Sequence, residues 1–568
     1  MKLSISLLAA IGVSLAPMFL SACGDSGNPP EVRNTAYGVV QGKDETSTSG
    51  TYSWKGIPFA KAPVGTLRWK APVEPDAWTG TLVTQTFGNA CMQNGRIYGP
   101  GANNTYDSTI GTTLNTPVGS EDCLTLNIWR PATGDARLPV LFFIYGGSDI
   151  SGYTADPVYN GANLAKTANA IVVTANYRVG VLGFLNLPQL KTGGTANDAS
   201  GNFAILDNIQ ALKFIQGNIA NFGGDAGNVT VMGQSAGAIN TWALLTSPLT
   251  VGLFHKAIPL SGGISLASDL PAGTIPTLNS TAAYLGQGNA LLVDLLIADG
   301  TAADAATALT YIATRTDTQI AAYMRGKDAG TILTTVLSNG LTGSGPIPEG
   351  TVVATDPIAS ITAGNYLKLP LLVGNTANEG KLFAPYLVLL GGPPGMIVTD
   401  ATRFTMMANY NPDAPSLTDA DILNPAYLPV TTPGTGYNAM TDLLASVFTT
   451  TSRVNVLTAV KSQQSNVWFY QFNWANEPVP WNDVYGAAHA FDLPFIFGNF
   501  GPSLFSNAAN STANEPGRLA LSAAMMSTIS AFIRNGDPNN AALGVVWPAW
   551  PSTLMFDATL TQAQISVR

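Results

Sequence analysis

Short runs of apolar, mostly β-branched and aromatic residues recur along this 568-residue chain. They are Pro139–Tyr145, Ala170–Tyr177, Val229–Met232, Ala257–Leu260, Leu369–Val373 and Val467–Phe472. Such runs, without polar alternation, are typical of strands that are covered on both faces of a sheet. Between the second and third runs, apolar residues recur from Ile205 to Ile219 at the three- and four-residue spacing of a helix. Strand, helix and strand in this order predict an α/β fold with a mainly parallel sheet.

Two long stretches, 265–350 and 385–465, interrupt this series. The first is rich in Ala, Thr and Gly with weak helical patterning, and the second is similar but contains Pro clusters. We expect both to be helical excursions above one sheet. Because no internal repeat and no low-complexity linker follows residue 30, residues 31–568 are predicted to form a single domain.

The N-terminus resembles an export signal. Lys2 is followed by the mostly apolar run Leu3–Leu20, and the run closes with Leu-Ser-Ala-Cys at Cys23. This ending resembles the lipobox of bacterial lipoproteins, in which the Cys is diacylated and becomes the first residue. We therefore predict a signal peptide over 1–22, a lipidated tether over 23–30, and a membrane-anchored lipoprotein on the periplasmic or outer surface. The alternative is a soluble secreted protein in which Cys23 is incidental.

The composition excludes several classes of function. Charged residues make up 11% of the chain against about 25% in ordinary soluble proteins, while 46% are hydrophobic. A chain this apolar is not intrinsically disordered. The net charge is −9 and no run of Lys or Arg occurs, which argues against a nucleic-acid partner. The 2 His and 3 Cys are too few for a zinc ribbon or a Cys/His cluster, so no metal site is expected.

Two cysteines remain when Cys23 is set aside, Cys91 and Cys123. An even pair in an exported protein indicates a disulfide, which would be worth about 3–4 kcal/mol through loop closure. The alternative is a pair of buried free thiols, which an oxidising compartment disfavours.

The chemistry concentrates at Gly233–Gly237, with the sequence Gly-Gln-Ser-Ala-Gly. It follows the predicted strand Val229–Met232 and precedes a plausible helix at Ala238–Leu245. Gly-x-Ser-x-Gly between a strand and a helix is the nucleophile elbow, which lifts the Ser hydroxyl above the carboxyl edge of the sheet. Ser235 is therefore the candidate nucleophile; the alternative is an ordinary turn.

A nucleophilic hydroxyl needs a base, and the chain contains only His255 and His489. In this fold the catalytic groups follow the order Ser, then Asp or Glu, then His. His489 lies in a Gly/Ala-rich loop after the last predicted strand, and it is the candidate base. His255 comes shortly after Ser235 and just before a strand, so we expect it to form a structural hydrogen bond.

An acid must orient the base. Glu379 follows the strand Leu369–Val373 through a short loop, which places it at the carboxyl edge of the sheet. Asp356 precedes that strand and Asp400 lies beyond a Gly/Pro break. Glu379 is therefore predicted to orient His489, against the alternative of a solvated loop carboxylate.

Backbone N–H groups must bind the oxyanion of the intermediate. One donor is Ala236, the residue after the nucleophile. The others should come from a Gly-rich loop after an earlier strand, and Gly146–Ser148 follows the run that ends at Tyr145. The alternative for this loop is a plain turn at the end of a strand.

These residues resemble the type-B carboxylesterases, a family that includes cholinesterases and bile-salt-stimulated lipases. Phe222–Gly237 is similar to the family's elbow signature, and Glu121–Pro131 to its second signature, whose Cys pairs with an upstream Cys. Weaker matches occur at Gly56–Ala60, Leu67–Trp69, Asn176–Arg178, Leu253–Ile258, Gly486–Gly498 and Trp547–Pro548. The resemblance spans nearly the whole chain after the signal peptide. It implies an α/β-hydrolase fold with a deep gorge, no cofactor, and a Cys91–Cys123 disulfide.

The same resemblance assigns Ser235, Glu379 and His489 to a Ser–Glu–His triad, and two departures from the family accompany it. The family commonly has Glu before the nucleophile, where this chain has Gln234. It also commonly has a third Gly in the oxyanion loop, where this chain has Ser148. Since the N–H of Ser148 can still donate, we predict an oxyanion hole of Gly147, Ser148 and Ala236, with the Ser148 side chain narrowing the gorge.

The sequence thus predicts a serine carboxylic-ester hydrolase that works through an acyl-enzyme on Ser235. Its substrate would be a small-molecule or lipid ester, and the excursions at 265–350 and 385–465 would form the gorge rim. Two alternatives remain open. One is an interfacial lipase of the same fold. The other is a non-catalytic adhesion protein, although such relatives lack a triad member and this chain has all three.

Overall fold

The computed structural model of the chain describes residues 29–341, 343–430 and 436–568, without the side chains at 447, 448, 452 and 505. The predicted signal peptide (1–22) and the predicted lipidation site Cys23 lie outside the described residues. The predicted tether is described only from Pro29.

The described strands are β1 (Val32–Thr35), β2 (Gly38–Gln41), β3 (Lys43–Glu45), β4 (Thr51–Pro58), β5 (Thr81–Val83), β6 (Gln93–Asn94), β7 (Pro117–Val118), β8 (Thr125–Pro131), β9 (Leu138–Ile144), β10 (Ile171–Ala175), β11 (Gly224–Gln234), β12 (Lys256–Leu260), β13 (Leu371–Thr376), β14 (Val467–Phe472), β15 (Thr553–Ala558) and β16 (Ala563–Val567).

The described α-helices are α1 (Ile110–Thr113), α2 (Ala162–Ala168), α3 (Gly180–Gly183), α4 (Ala196–Ala199), α5 (Phe203–Asn218), α6 (Ala236–Thr246), α7 (Thr281–Ala298), α8 (Ala305–Ala313), α9 (Asp317–Arg325), α10 (Ala329–Ser338), α11 (Pro357–Thr362), α12 (Asp400–Ala408), α13 (Gly436–Thr449), α14 (Val456–Lys461), α15 (Trp481–Val484), α16 (Leu493–Phe497), α17 (Leu504–Ala509) and α18 (Glu515–Asn535).

One large sheet organises the fold, in the order β16-β15-β14-β13-β12-β11-β9-β10-β8-β4-β3. The strands from β15 to β10 in this order pair in parallel, and β16, β8, β4 and β3 add antiparallel edges. The mainly parallel sheet predicted from the apolar runs is confirmed. The runs do not predict the antiparallel edges β4 and β16, because alternating or partial burial breaks their apolar pattern.

The centre of the sheet is covered on both faces. All residues of β9, β10, β12 and β13 are buried, which requires packing from two sides. One group of contacting helices is α2, α16 and α18, and another is α5, α6 and α11. The elbow helix α6 therefore stands in a packed environment, directly after the buried end of β11.

The two long excursions are helical, as expected. The first contains α7 to α10, which pack with Trp69 and Leu187 into a second hydrophobic cluster beside the main core. Within the described ranges, α7 is long and apolar enough to cross a membrane by length and composition alone. Its leucines 291, 292, 295 and 296 are buried in that second cluster, so its apolar face packs inside the protein.

Candidate active site

The turn at Ser235 is built from a single residue. β11 ends at Gln234 and α6 begins at Ala236, so Ser235 alone reverses the chain, with φ +59°. A Cβ added at Gly233 would lie 2.0 Å from the carbonyl oxygen of Gly237. No side chain fits at that distance, and the turn therefore requires Gly at this position. The sharp turn exposes Ser235 to a cavity while its neighbours are buried.

His489 and Glu379 meet at the carboxyl edge of the sheet. Nδ1 of His489 lies 2.5 Å from Oε2 of Glu379, and both side chains are buried. A carboxylate can only accept, so Nδ1 carries the proton and donates it to Glu379. In the neutral ring Nε2 is then the acceptor, which is the state that a general base needs.

Three further donors hold the other oxygen of Glu379. Oε1 accepts from Oγ of Ser261 at 2.6 Å, from Nδ2 of Asn375 at 2.9 Å and from the backbone N–H of Thr376 at 2.9 Å. Burial alone would raise the pKa of Glu379, but the His489 ring and these donors outweigh it and hold the pKa below its usual value. The acid is thereby kept ionised and fixed in direction.

The sequence alone did not predict that these three residues donate hydrogen bonds to Glu379. Ser261 directly follows β12, and Asn375 and Thr376 end β13, so all three stand at the carboxyl edge where the acid lies. The sequence does contain a pattern that could have indicated them, since each is a polar residue at the end of a buried parallel strand.

Gln234 contacts His489, the candidate base, directly. Its Nε2 lies 3.1 Å from Nε2 of His489, and its side chain is buried. Because Nε2 of the neutral ring has no proton, the amide of Gln234 donates to it. The residue that departs from the family pattern therefore contacts the nitrogen through which the candidate base would act.

The loop after β9 faces the same cavity. Gly147 has φ +108° and Ser148 φ +57°, and both line the cavity with Ser235 and His489. A Cβ added at Gly147 would lie 2.2 Å from the carbonyl oxygen of Ser151, so this position requires Gly. Ala236, the remaining predicted donor, is the first residue of α6, where N–H groups have no partner within the helix.

The cavity has a volume of about 270 Å³, and its wall includes several aromatic side chains. The ring of Phe383 lies 5.1 Å from that of His489. Its other aromatic side chains are Tyr98, Tyr106, Tyr153, Tyr159 and Tyr386, and its acidic and basic side chains other than the His489 ring are Arg96, Asp156, Asp400 and Arg403. Arg96, Tyr98 and Tyr106 belong to the loop that the Cys91–Cys123 disulfide closes.

The other histidine and the two other acidic residues considered for the triad lie away from Ser235 or pair with other residues. Nδ1 of His255 accepts the N–H of Val229 at 3.2 Å, a structural hydrogen bond. Asp356 caps α11. Asp400 lines the cavity but pairs with Arg403, Oδ1 to Nη2 at 2.6 Å. Among the described residues no cluster of three or more His, Cys, Asp or Glu could hold a metal.

Comparisons with known proteins identify the family and the fold. The sequence model of the "Carboxylesterase family" matches residues 29–565. The para-nitrobenzyl esterase of Bacillus subtilis (strain 168) is 32% identical over 541 residues, which cover 94% of this chain and 96% of that protein. The fumonisin B1 esterase of Sphingopyxis macrogoltabida is 32% identical over 493 residues, covering 86% and 78%. A solved PNB esterase structure superposes with a TM-score of 0.70 at 27% identity, covering 95% and 97%. The expected α/β-hydrolase fold is thereby confirmed.

Proposed function

Because the chain belongs to the carboxylesterase family and is a serine carboxylic-ester hydrolase, we propose that it works through an acyl-enzyme on Ser235. In this proposal His489 is the general base and Glu379 orients it. The observation that carries the proposal is the 2.5 Å hydrogen bond between Nδ1 of His489 and Glu379, beside a cavity that Ser235 also lines.

Acylation begins when Oγ of Ser235 attacks the ester carbonyl and Nε2 of His489 takes its proton. The Glu379 carboxylate stabilises the imidazolium that forms. The developing oxyanion accepts hydrogen bonds from the N–H groups of Gly147, Ser148 and Ala236. His489 then gives its proton to the leaving alcohol, and the bond between the carbonyl carbon and the alcohol oxygen breaks.

Deacylation repeats the cycle with water. His489 takes a proton from the water as it attacks the acyl-enzyme, and returns that proton to Oγ of Ser235 as the acid leaves. No metal or organic cofactor takes part in this scheme.

The decisive experiment traps the acyl-enzyme. Wild type and Ser235→Ala are quenched in acid within milliseconds of mixing with a p-nitrophenyl ester, and their masses are measured. We expect one acyl group on wild type, located on the peptide that carries Ser235, and none on the variant. Turnover by Ser235→Ala comparable to wild type, or an acyl group on another residue, would refute the assignment.

An interfacial lipase is the second candidate, and exposed apolar side chains on a segment that also lines the cavity favour it. Tyr386 lines the cavity and is half exposed, while Val388 and Leu389 on the same segment are 47% and 67% exposed. Exposed apolar patches are typical of surfaces that contact lipid or protein. A rate that jumps when a long-chain p-nitrophenyl ester passes its solubility limit would support the lipase, and ordinary saturation with short-chain esters would support the esterase.

The cellular location is part of the proposal. We propose that Cys23 is lipidated after removal of residues 1–22 and anchors the enzyme to a membrane on the periplasmic or outer surface. The support is the Leu-Ser-Ala-Cys sequence that ends the apolar run. The substrate would be a small-molecule or lipid ester that reaches that surface.

A further inference from the structure

Asp149 follows the oxyanion loop, and it is an acidic residue that is buried without a basic partner. It is 1% exposed, and no Lys, Arg or His forms an ion pair with it in the part of the chain that the structure describes. Both Ser148 and Asp149 have φ +57°, a left-handed conformation that residues with side chains rarely adopt. Two such residues in succession cost free energy and persist only where surrounding contacts hold them.

The contacts that hold Asp149 come from three elements. Its Oδ1 accepts from Nδ2 of Asn240 at 2.8 Å. Its backbone carbonyl accepts from the N–H of Gly180 at 2.6 Å and from Oγ of Ser344 at 3.0 Å. The residue is therefore fixed through both its side chain and its main chain.

Asn240 connects Asp149 to the nucleophile helix. It lies on α6, one turn after Ala236, and is fully buried. The Asp149–Asn240 hydrogen bond thus joins the element that carries the N–H groups of Gly147 and Ser148 to the element that carries the N–H of Ala236. A buried carboxyl group without a basic partner is costly for stability, which points to a role at the site.

We propose that Asp149 is a positioning residue whose hydrogen bond to Asn240 fixes the two parts of the oxyanion hole against each other. The inference rests on the proposed function, since it presumes an oxyanion held by Gly147, Ser148 and Ala236. Donors must stand within about 2.7–3.1 Å of the oxyanion, and losing one completely costs about 10²- to 10³-fold in kcat. A loop that is only loosened should lower kcat by less than the complete loss of a donor does.

The test uses a double-mutant cycle of Asp149→Ala and Asn240→Leu. Each single variant breaks the Asp149–Asn240 hydrogen bond and leaves one of the two buried polar groups in place, whereas the double variant removes both. We expect each single variant to lower kcat about 10- to 100-fold with KM changed less than about threefold, because the neutral ester barely uses the hole. The double variant should regain thermal stability but keep the low kcat, since the link is still absent.

Two further variants serve as controls. One removes the charge of Asp149 but keeps a hydrogen-bond acceptor, and the other disturbs α6 away from the Asp149–Asn240 hydrogen bond. Asp149→Asn keeps an oxygen that can accept from Asn240, and should retain kcat within about threefold of wild type. Thr246→Val removes a buried hydroxyl at the far end of α6, whose hydrogen bonds stay within the helix, and should leave kcat unchanged. Inhibition by a trifluoromethyl ketone, which forms a tetrahedral oxyanion, should weaken in parallel with kcat/KM.

The outcomes are distinct. A double variant whose kcat returns to wild type together with its stability would overturn the positioning role, as would an Asp149→Asn variant as slow as Asp149→Ala. Failure of the proposed function would appear differently, as wild-type protein without ester hydrolysis or with an acyl group on a residue other than Ser235.

Discussion

Nε2 of His489 lies 3.1 Å from the side-chain amide nitrogen of Gln234, while Nδ1 of the same ring faces Glu379. The neutral ring has one acceptor nitrogen, and Gln234 donates to it. In the proposed mechanism the Ser235 proton must reach this same nitrogen, so the amide of Gln234 has to share or release it. A carboxylate at position 234 could not donate, and would instead favour a protonated ring.

This contact predicts a shifted pH profile for Gln234→Glu. The added negative charge stabilises the charged form of His489, so the base stays protonated to higher pH. We expect the acid limb of kcat/KM, which reports the base of the free enzyme, to move upward by about half a unit to one unit. Gln234→Leu, which adds no charge, is the control. A Glu variant whose profile superimposes on that of wild type would contradict the electrostatic role.

The two histidines should differ strongly in their effect on activity. His489→Ala removes the proposed base and should lower kcat by about 10⁴-fold or more, because triad members act as a unit. His255→Ala removes only a hydrogen bond to the N–H of Val229 and should cost less than about tenfold. Steady-state kinetics on one short-chain ester measures both, and the reverse ranking would exclude His489 as the base.

Replacing Glu379 with Gln should reverse the proton position on the ring. Ser261, Asn375 and Thr376 all donate to Oε1, so the amide oxygen of Gln would occupy that place and its NH₂ would face Nδ1 of His489. Nδ1 would then accept, and the proton would move to Nε2, which could no longer take one from Ser235. We expect kcat to fall by about 10⁴-fold, as for other triads in the wrong tautomer.

Glu477→Gln is the matched control for that substitution. Glu477 is another buried Glu, it does not line the cavity, and burial raises its pKa well above the usual value. Burial favours the neutral form of Glu477, which Gln resembles in shape and charge, so kcat should not change. Equal losses in the two variants would show that buried Glu-to-Gln changes damage the fold rather than the tautomer.

Asp149 should make the protein less stable as the pH rises. Burial raises the pKa of its carboxyl to about 7, although the side-chain hydrogen bonds from Asn240 and Tyr177 oppose this. The titratable groups that face it are Tyr145, Tyr177 and Tyr284, and burial raises the pKa of each. Since the folded state holds the proton more tightly than the unfolded state, stability falls between about pH 4 and pH 7.

Asp149→Asn removes this titration. The Tm of the variant relative to wild type should therefore rise between pH 4 and pH 7 and level off above that. Differential scanning calorimetry over this range measures it. A Tm difference that does not depend on pH would show that the Asp149 carboxyl does not titrate differently in the two states.

Cys23→Ala should release the protein from the membrane. Cys23 is the proposed lipidation site, and acyl chains are the proposed anchor. After expression in a bacterial host, we expect wild type in the membrane fraction with incorporated radiolabelled palmitate, and the variant unlabelled in the soluble fraction. Membrane retention of an unlabelled variant would indicate another anchor.

The sequence by itself predicted the sheet centre, which the structure confirms, and it singled out Ser235 as the candidate nucleophile. Continuous apolar runs mark strands that are buried on both faces, and the steric demands of a one-residue turn make Gly233 and Gly237 visible around Ser235. With only two His in the chain, the base was a choice between His255 and His489. The apolar runs and the elbow turn are local features of the sequence, and the number of His residues is a matter of composition. Predictions from them therefore need no knowledge of contacts between distant residues.

Only the tertiary structure decided which side chains meet at the site. The contact of Gln234 with His489 joins residues 255 positions apart, and that of Asp149 with Asn240 joins residues 91 apart. Sequence patterns report periodicity within one element, whereas such contacts depend on how β9, β11 and the later loops pack side by side. Which oxygen of Glu379 faces Ser261 and which faces His489 is fixed by that packing, because a buried polar group takes the partners that the surrounding elements bring within hydrogen-bond distance.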